Sequence, residues 1–250
     1  MSEQRERALE EARKRLIFAL DYESPGEAET RGREIGPYVG CLKVGLELFI
    51  RGGPQIVRTL RAQGVQIFLD LKLHDITETV DRAVASATQL GVRYLTLHAS
   101  GGPRMLERAQ ARAEKEGGQL KLLAVTVLTS LDAQDLERIG YCADPRAQAE
   151  RLALIAKEAG LAGLVCSAQE VREIRAVVGP SMLLCTPGIR PTGSDAGDQK
   201  RVANPRDALL AGSDLLVVGR PIRDAQDPIQ AAQGILSEMG GALEMPRAEA

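Results

Sequence analysis

Gln66-Ile67-Phe68-Leu69-Asp70-Leu71-Lys72-Leu73-His74-Asp75-Ile76 is the stretch from which the rest of this chain can be read. Its first half, Gln66–Lys72, is a short and mostly apolar run, the pattern of a strand buried on both faces of a parallel sheet. Behind it, Thr77–Leu90 places Val80, Ala83, Val84, Ala87 and Leu90 on one helical stripe, closed by Gly91. Between the two lie charged residues, at the point where a strand gives way to a loop. A strand, a polar end and an amphipathic helix make one unit of an α/β fold.

Working outward, the same unit recurs. Further strand-like runs are Leu16–Asp21, Cys41–Val44, Tyr94–His98, Lys121–Leu128, Gly163–Ser167, Met182–Thr186 and Asp214–Gly219. Helical punctuation separates them: Ser24-Pro25 precedes Gly26–Ile35, Gly53-Pro54 opens Gln55–Gln63, and Pro103 opens Arg104–Glu116 before Gly117-Gly118. Pro145–Ala159 and Ala168–Val178 end at Gly160 and Gly179. Eight strand–helix units without a Gly/Pro-rich linker predict a single closed (β/α)8 TIM barrel over residues 16–240. Residues 1–15 read as a polar helix or frayed arm, and 241–250 as a tail. An open doubly wound sheet is the alternative, but the first turn, Asp21-Tyr22-Glu23-Ser24-Pro25, lacks a dinucleotide-binding glycine fingerprint.

Composition narrows the function. With 250 residues, 44% hydrophobic and 26% charged, the chain is of ordinary globular make-up, and only 3% aromatic, so its core rests on aliphatic residues. A net charge of −2 offers no electrostatic case for nucleic acid or an anionic membrane as partner. No apolar run approaches the roughly 18 residues that cross a bilayer. The charged start, Met1–Arg15, lacks the apolar segment of a secretory signal. Cys41, Cys142, Cys166 and Cys185 show no CxxC spacing, which fits a reduced, cytoplasmic protein. His74 and His98 are the two histidines, and no HExxH, two-His-one-carboxylate or Cys/His zinc pattern is present, so no metal is expected. His98 reads as a hydrogen-bonded structural residue.

Barrel enzymes place their active sites at the C-terminal ends of the strands. Here those ends carry Asp21, Lys43, Asp70 with Lys72, His98, Thr129 with Ser130, Ser167 and Gly219-Arg220. By strand alternation Asp70 and Lys72 project to one face, with Asp75 three positions beyond. A lone D-x-K reads as a structural ion pair; two lysines and two aspartates at one rim read as chemistry, because buried charges are costly unless used and paired. Each opposite neighbour favours the charged form of the next. Such a cluster sets a proton donor beside a fixed negative charge, an arrangement suited to expelling an anionic group and protonating the carbon left behind. Gly219-Arg220 after the last strand, and Thr186-Pro187-Gly188-Ile189-Arg190-Pro191 with the polar stretch to Lys200, predict a phosphate site beneath a flap.

These residues resemble the bacterial form of the orotidine 5′-phosphate decarboxylase family. The resemblance runs through Phe18-Ala19-Leu20-Asp21, Leu42-Lys43-Val44-Gly45, Asp70-Leu71-Lys72-Leu73-His74-Asp75-Ile76, Val125–Ser130, Val165-Cys166-Ser167, Thr186–Pro191 and Gly219-Arg220-Pro221. It covers nearly the whole chain after the first fifteen residues, and no functional position departs from the family pattern. It implies decarboxylation of orotidine 5′-phosphate to uridine 5′-phosphate in pyrimidine biosynthesis, with no cofactor. Lys72 would donate the proton to C6, Asp70 would face the departing carboxylate, and Lys43 would complete the charged chain. Asp75 would come from the partner subunit of a homodimer. Asp21 and Lys43 would hold ribose hydroxyls, with Thr79 and Asp75 of the partner nearby, and Ile76 would also contact the substrate. Thr129 would contact the pyrimidine, and Arg190, Gln199, Gly219 and Arg220 would hold the phosphate. Two rivals remain at this point: a related sugar-phosphate decarboxylase or epimerase, whose magnesium-using members have an acidic residue where this chain has Lys43, and a silent nucleotide-binding barrel.

Overall fold

The computed structural model describes residues 3–191 and 203–244. In chain order the elements are α1 (Glu3–Arg15), β1 (Leu16–Ala19), α2 (Pro25–Ile35), β2 (Cys41–Gly45), α3 (Leu46–Ala62), β3 (Gln66–Leu73), α4 (Thr77–Gln89), β4 (Tyr94–His98), α5 (Pro103–Lys115) and β5 (Lys121–Val125). There follow α6 (Ala133–Arg138), α7 (Pro145–Glu158), β6 (Gly163–Val165), α8 (Val171–Val178), β7 (Leu183–Thr186), α9 (Pro205–Ala211), β8 (Leu215–Val218), α10 (Arg220–Arg223) and α11 (Pro228–Leu243). The strands are all parallel and close in sequence order, β8 pairing back onto β1 through Leu16↔Leu216, Ile17↔Val217 and Phe18↔Val218. The (β/α)8 barrel is therefore present as the pattern of runs implied.

Strand alternation divides the buried residues into two sets. Leu16, Phe18, Leu42, Leu69, Leu95, Leu122, Leu164, Leu184, Leu216 and Val218 join the cluster between sheet and helices. Ile17, Ala19, Cys41, Phe68, Tyr94, Leu123, Cys185, Leu215 and Val217 form a separate cluster that fills the barrel. Phe68 and Tyr94 meet edge to face there, with ring centroids 5.9 Å apart. This apolar plug decides where polar chemistry can sit. Moving two residues along each strand from Ala19, Cys41, Phe68 and Tyr94 reaches Asp21, Lys43, Asp70 and Thr96, the next layer towards the open end.

Local differences from the sequence reading have local causes. Helix α3 starts at Leu46, before the Gly53-Pro54 expected to open it. Gly53 takes φ +55°, a conformation only glycine adopts freely, and the helix kinks there and continues. Strands β1, β5 and β6 stop short of Asp21, Leu128 and Ser167, because the chains part to form the mouth. Single bonds such as Leu20 N–H to Lys43 O (3.0 Å) and Thr126 N–H to Val165 O (3.1 Å) continue the pairing briefly. Helix α8 starts at Val171, three residues later than Ala168, behind a turn in which the Glu170 amide donates to Ser167 O. Helix α1 buries Ala8 and Ala12 and packs against α11, which runs on to Leu243.

Candidate active site

The site begins with a chain of alternating charges across three adjacent strands. From β2, Lys43 Nζ lies 3.0 Å from Asp21 Oδ1, at the end of β1, and 3.7 Å from Asp70 Oδ2 on β3. Lys72 Nζ donates to both oxygens of Asp70, at 2.9 and 2.8 Å. Lys43 and Asp70 are nearly buried, with side chains 11% and 13% exposed, while Lys72 is 32% exposed at the mouth. Burial alone would push the Asp70 carboxyl up, but Lys43, Lys72 and hydrogen bonds from Lys72 and Thr96 outweigh it and hold the group below its usual range. Room for this cluster is made partly by Gly45: a Cβ there would lie 3.0 Å from Lys43 Nζ.

Asp70 and Lys72 meet, but not through simple alternation. Lys72 has φ +50°, the one positive φ outside glycine among the described residues. Between the pairs Leu69↔Leu95 and Leu73↔Leu97, β3 carries more residues than β4, so it bulges there. A left-handed lysine is strained by roughly 1–3 kcal/mol, and such strain persists only where neighbours enforce it. Here Thr96, fully buried on β4, accepts from the Lys72 amide at 2.9 Å and donates to Asp70 Oδ1 at 2.9 Å. Sequence reasoning missed Thr96, whose only signal was a hydroxyl residue inside the apolar run Tyr94–His98.

Two adjoining cavities open from the charged row. The deeper one, ≈210 Å³, is floored by Phe68, Asp70 and Lys72 and walled by Val125, Val127, Thr129, Cys166, Pro187 and Val217 among others. It suits a flat, partly apolar ring with polar edges. The outer one, ≈430 Å³, shares Lys43, Pro187 and Val217 with it and is ringed by Arg190, Arg220 and Arg223 beside Gly188 and Gly219. Three guanidiniums around glycine backbone suit an anion. Arg223 was not foreseen. The single helical turn α10 sets it on the same side as Arg220, although it also serves structure by donating to Asp21 O (3.0 Å) and Asp224.

The remaining expected residues fall differently. Thr129 lines the inner cavity. Arg190 lines the outer one from a segment pinned by the bridge Ile189↔Ala203, whereas Gln199 and the expected flap through Lys200 lie outside the described residues. Asp75 is exposed and turns to its own neighbour, accepting from the Ile76 amide at 2.6 Å; among the described residues it forms no ion pair with Lys72. Ile76 is 72% exposed, and Thr79 is exposed as well. Among the described residues the His98 side chain makes no hydrogen bond of the kind expected; its ring rests against that of His74, with centroids 5.4 Å apart. Burial, followed by His74 and Lys72, lowers its pKa. Among the described residues no group of three or more His, Cys, Asp or Glu is placed to hold a metal ion, and no helix is long and apolar enough to cross a membrane.

Comparison with known proteins points the same way. A sequence model described as the orotidine 5′-phosphate decarboxylase / HUMPS family matches residues 14–235. The chain is 50% identical over 221 residues to the orotidine 5′-phosphate decarboxylase of Anaeromyxobacter sp. (strain K), covering 88% of this chain and 96% of that one. It is 48% identical over 225 residues to the protein of the same name from Nitrosococcus oceani, covering 90% and 97%. Among solved structures, orotidine 5′-phosphate decarboxylase from Lactobacillus acidophilus aligns with a TM-score of 0.80 at 36% identity, over 90% of this chain and 98% of that one.

Proposed function

Because the chain belongs to the orotidine 5′-phosphate decarboxylase / HUMPS family, we propose that it converts orotidine 5′-phosphate to uridine 5′-phosphate and carbon dioxide in pyrimidine biosynthesis. The observation that carries this reading is the Lys43–Asp70–Lys72 row at the mouth of the inner cavity. The phosphate sits among Arg190, Gly219 and Arg220, the ribose hydroxyls meet Asp21 and Lys43, and the pyrimidine enters the inner cavity beside Thr129.

In the reaction the bond from C6 to the carboxylate breaks and carbon dioxide leaves. The electron pair stays on C6, and a proton from Lys72 Nζ forms the new C–H bond. Asp70 acts on the ground state: two like charges about 4 Å apart repel by roughly 4 kcal/mol at an effective dielectric near 20. Only the part of this relieved in the transition state accelerates the reaction. The Lys72 ammonium does the complementary work, drawing towards it the negative charge that grows on C6. No step requires metal or organic cofactor in this scheme. An ammonium at Lys43, within 4 Å of both Asp21 and Asp70, would repel a divalent cation, which disfavours a magnesium-dependent sugar-phosphate reaction.

The active unit is a homodimer in which Asp75 of one protomer completes the other's charged row. The exposure of Asp75, Ile76 and Thr79 at the rim, and of Leu46 and Ile50 on the helix behind the neighbouring strand, supports that assembly. The cytoplasm is the compartment that fits a pathway enzyme whose four cysteines are all unpaired.

The test is ultraviolet absorbance loss of orotidine 5′-phosphate with purified protein and excess chelator, alongside Lys72→Ala. Full wild-type turnover, with Lys72→Ala inactive yet still binding uridine 5′-phosphate, is expected. Loss of wild-type activity on chelation, or an active Lys72→Ala, would overturn the scheme.

A further inference from the structure

We propose that Thr96 is a positioning residue for catalysis, its hydroxyl holding the strained Lys72 backbone and the Asp70 carboxylate in register with each other. The geometry leaves that hydroxyl one role on each side. Its single proton goes to Asp70 Oδ1 (2.9 Å), so a lone pair is free to accept from the Lys72 amide (2.9 Å). The amide belongs to the only described non-glycine residue with positive φ, at the point where β3 bulges away from β4. A strand amide lifted off its ladder and turned inward needs another acceptor, because an unpaired buried N–H is costly. Thr96 supplies it from the facing strand, where it is fully buried just above the Phe68–Tyr94 pair. One oxygen therefore couples the conformation that aims the Lys72 side chain to the position of the carboxylate its ammonium grips.

Valine matches the shape of threonine but can neither donate nor accept. In Thr96→Val the bulge loses its inward acceptor, and Asp70 loses one of the bonds that favour its charged form. Thr96→Ser keeps both. The charged and titratable groups around Asp70 are Lys43 from β2 with Asp21 behind it, Lys72 on its own strand, His98 from β4 and Cys185 from β7. Of these, Lys43 and Lys72 form the ion pairs with Asp70; both residues are kept in the variant, and of the two only Lys72 loses a bond to the substituted side chain.

This inference rests on the decarboxylase reading, and the experiment separates the two. Steady-state kinetics with orotidine 5′-phosphate are measured across pH for wild type, Thr96→Val and Thr96→Ser. For Thr96→Val, kcat should fall about 10- to 100-fold with KM within about threefold, the worth of one or two hydrogen bonds to charged or strained groups. Its acid limb should move to higher pH, and Thr96→Ser should return both quantities close to wild type. If Thr96→Val does not fold, Thr96→Ala against Thr96→Ser makes the same comparison, melting temperature serving as the control. A folded Thr96→Val with wild-type kcat and an unmoved acid limb, or a serine variant as impaired as the valine one, overturns the role of Thr96. An inactive wild type would overturn the decarboxylase reading instead.

Discussion

Replacing Lys43 with methionine removes a charge while keeping most of an unbranched side chain's volume, and the structure says what that charge does. Lys43 Nζ stands 3.7 Å from Asp70 Oδ2, both side chains being almost buried. Two unit charges at that distance attract by roughly 4 kcal/mol at an effective dielectric near 20. That is an upper bound, since water entering the space of the ammonium recovers part of it. Without Lys43 the Asp70 carboxyl keeps its burial penalty and only the Lys72 and Thr96 partners, so it must be easier to protonate. The sign of the pH effect follows: a carboxylate needed in its charged form is lost at higher pH in the variant, and the acid limb of kcat/KM moves up. At neutral pH kcat/KM should fall about 100- to 1000-fold, most of what roughly 4 kcal/mol can supply. The assay is absorbance loss of orotidine 5′-phosphate across pH in Lys43→Met and wild type. A variant within threefold of wild type, with its acid limb in the same place, would refute the claim that Lys43 sets the state of Asp70.

Other tests bear on the rest of the molecule. Arg220→Ala should raise KM for orotidine 5′-phosphate at least tenfold while leaving the slow turnover of orotidine, which lacks the phosphate, within about twofold; equal losses on both would remove Arg220 from the phosphate site. Mixing Lys72→Ala with Asp75→Asn should restore part of the activity neither has alone, since some exchanged dimers then hold one intact site; no recovery, with exchange verified by mass, would place Asp75 outside the partner's site. Asp81, buried between α4 and α5 and paired with Arg108 and Arg112, lies away from the charged row. Asp81→Asn should lower stability by about 1–3 kcal/mol with near-normal turnover at low temperature. Hydrogen bonds from Arg112 and Arg108 hold the Asp81 carboxyl below its usual range. Its stabilisation is thus complete above the ordinary carboxylate range and lost as pH falls through the lowered value, so denaturant midpoints of variant and wild type should converge in acid.

Much of this protein can be read from order along the chain. The apolar runs ending in Asp21, Lys43, Asp70–Lys72 and Gly219-Arg220 specify both the barrel and the rim on which chemistry gathers, because a closed parallel barrel sends every strand's C-terminal end to the same mouth. Alternation then separates the aliphatic plug from the polar layer above it, as Cys41 with Lys43 and Phe68 with Asp70 show. What the tertiary structure decided are contacts between residues far apart in sequence whose types announce nothing. Thr96 resembles any strand threonine until the β3 bulge brings the Lys72 amide to it across 24 positions. Arg223 resembles a solvated arginine until one turn of helix returns it to the carbonyl of Asp21. A pattern of residue types reports which face a side chain takes, since that depends on local geometry alone. Which atom waits on that face depends on strand register and closure, and those exist only once the barrel has formed.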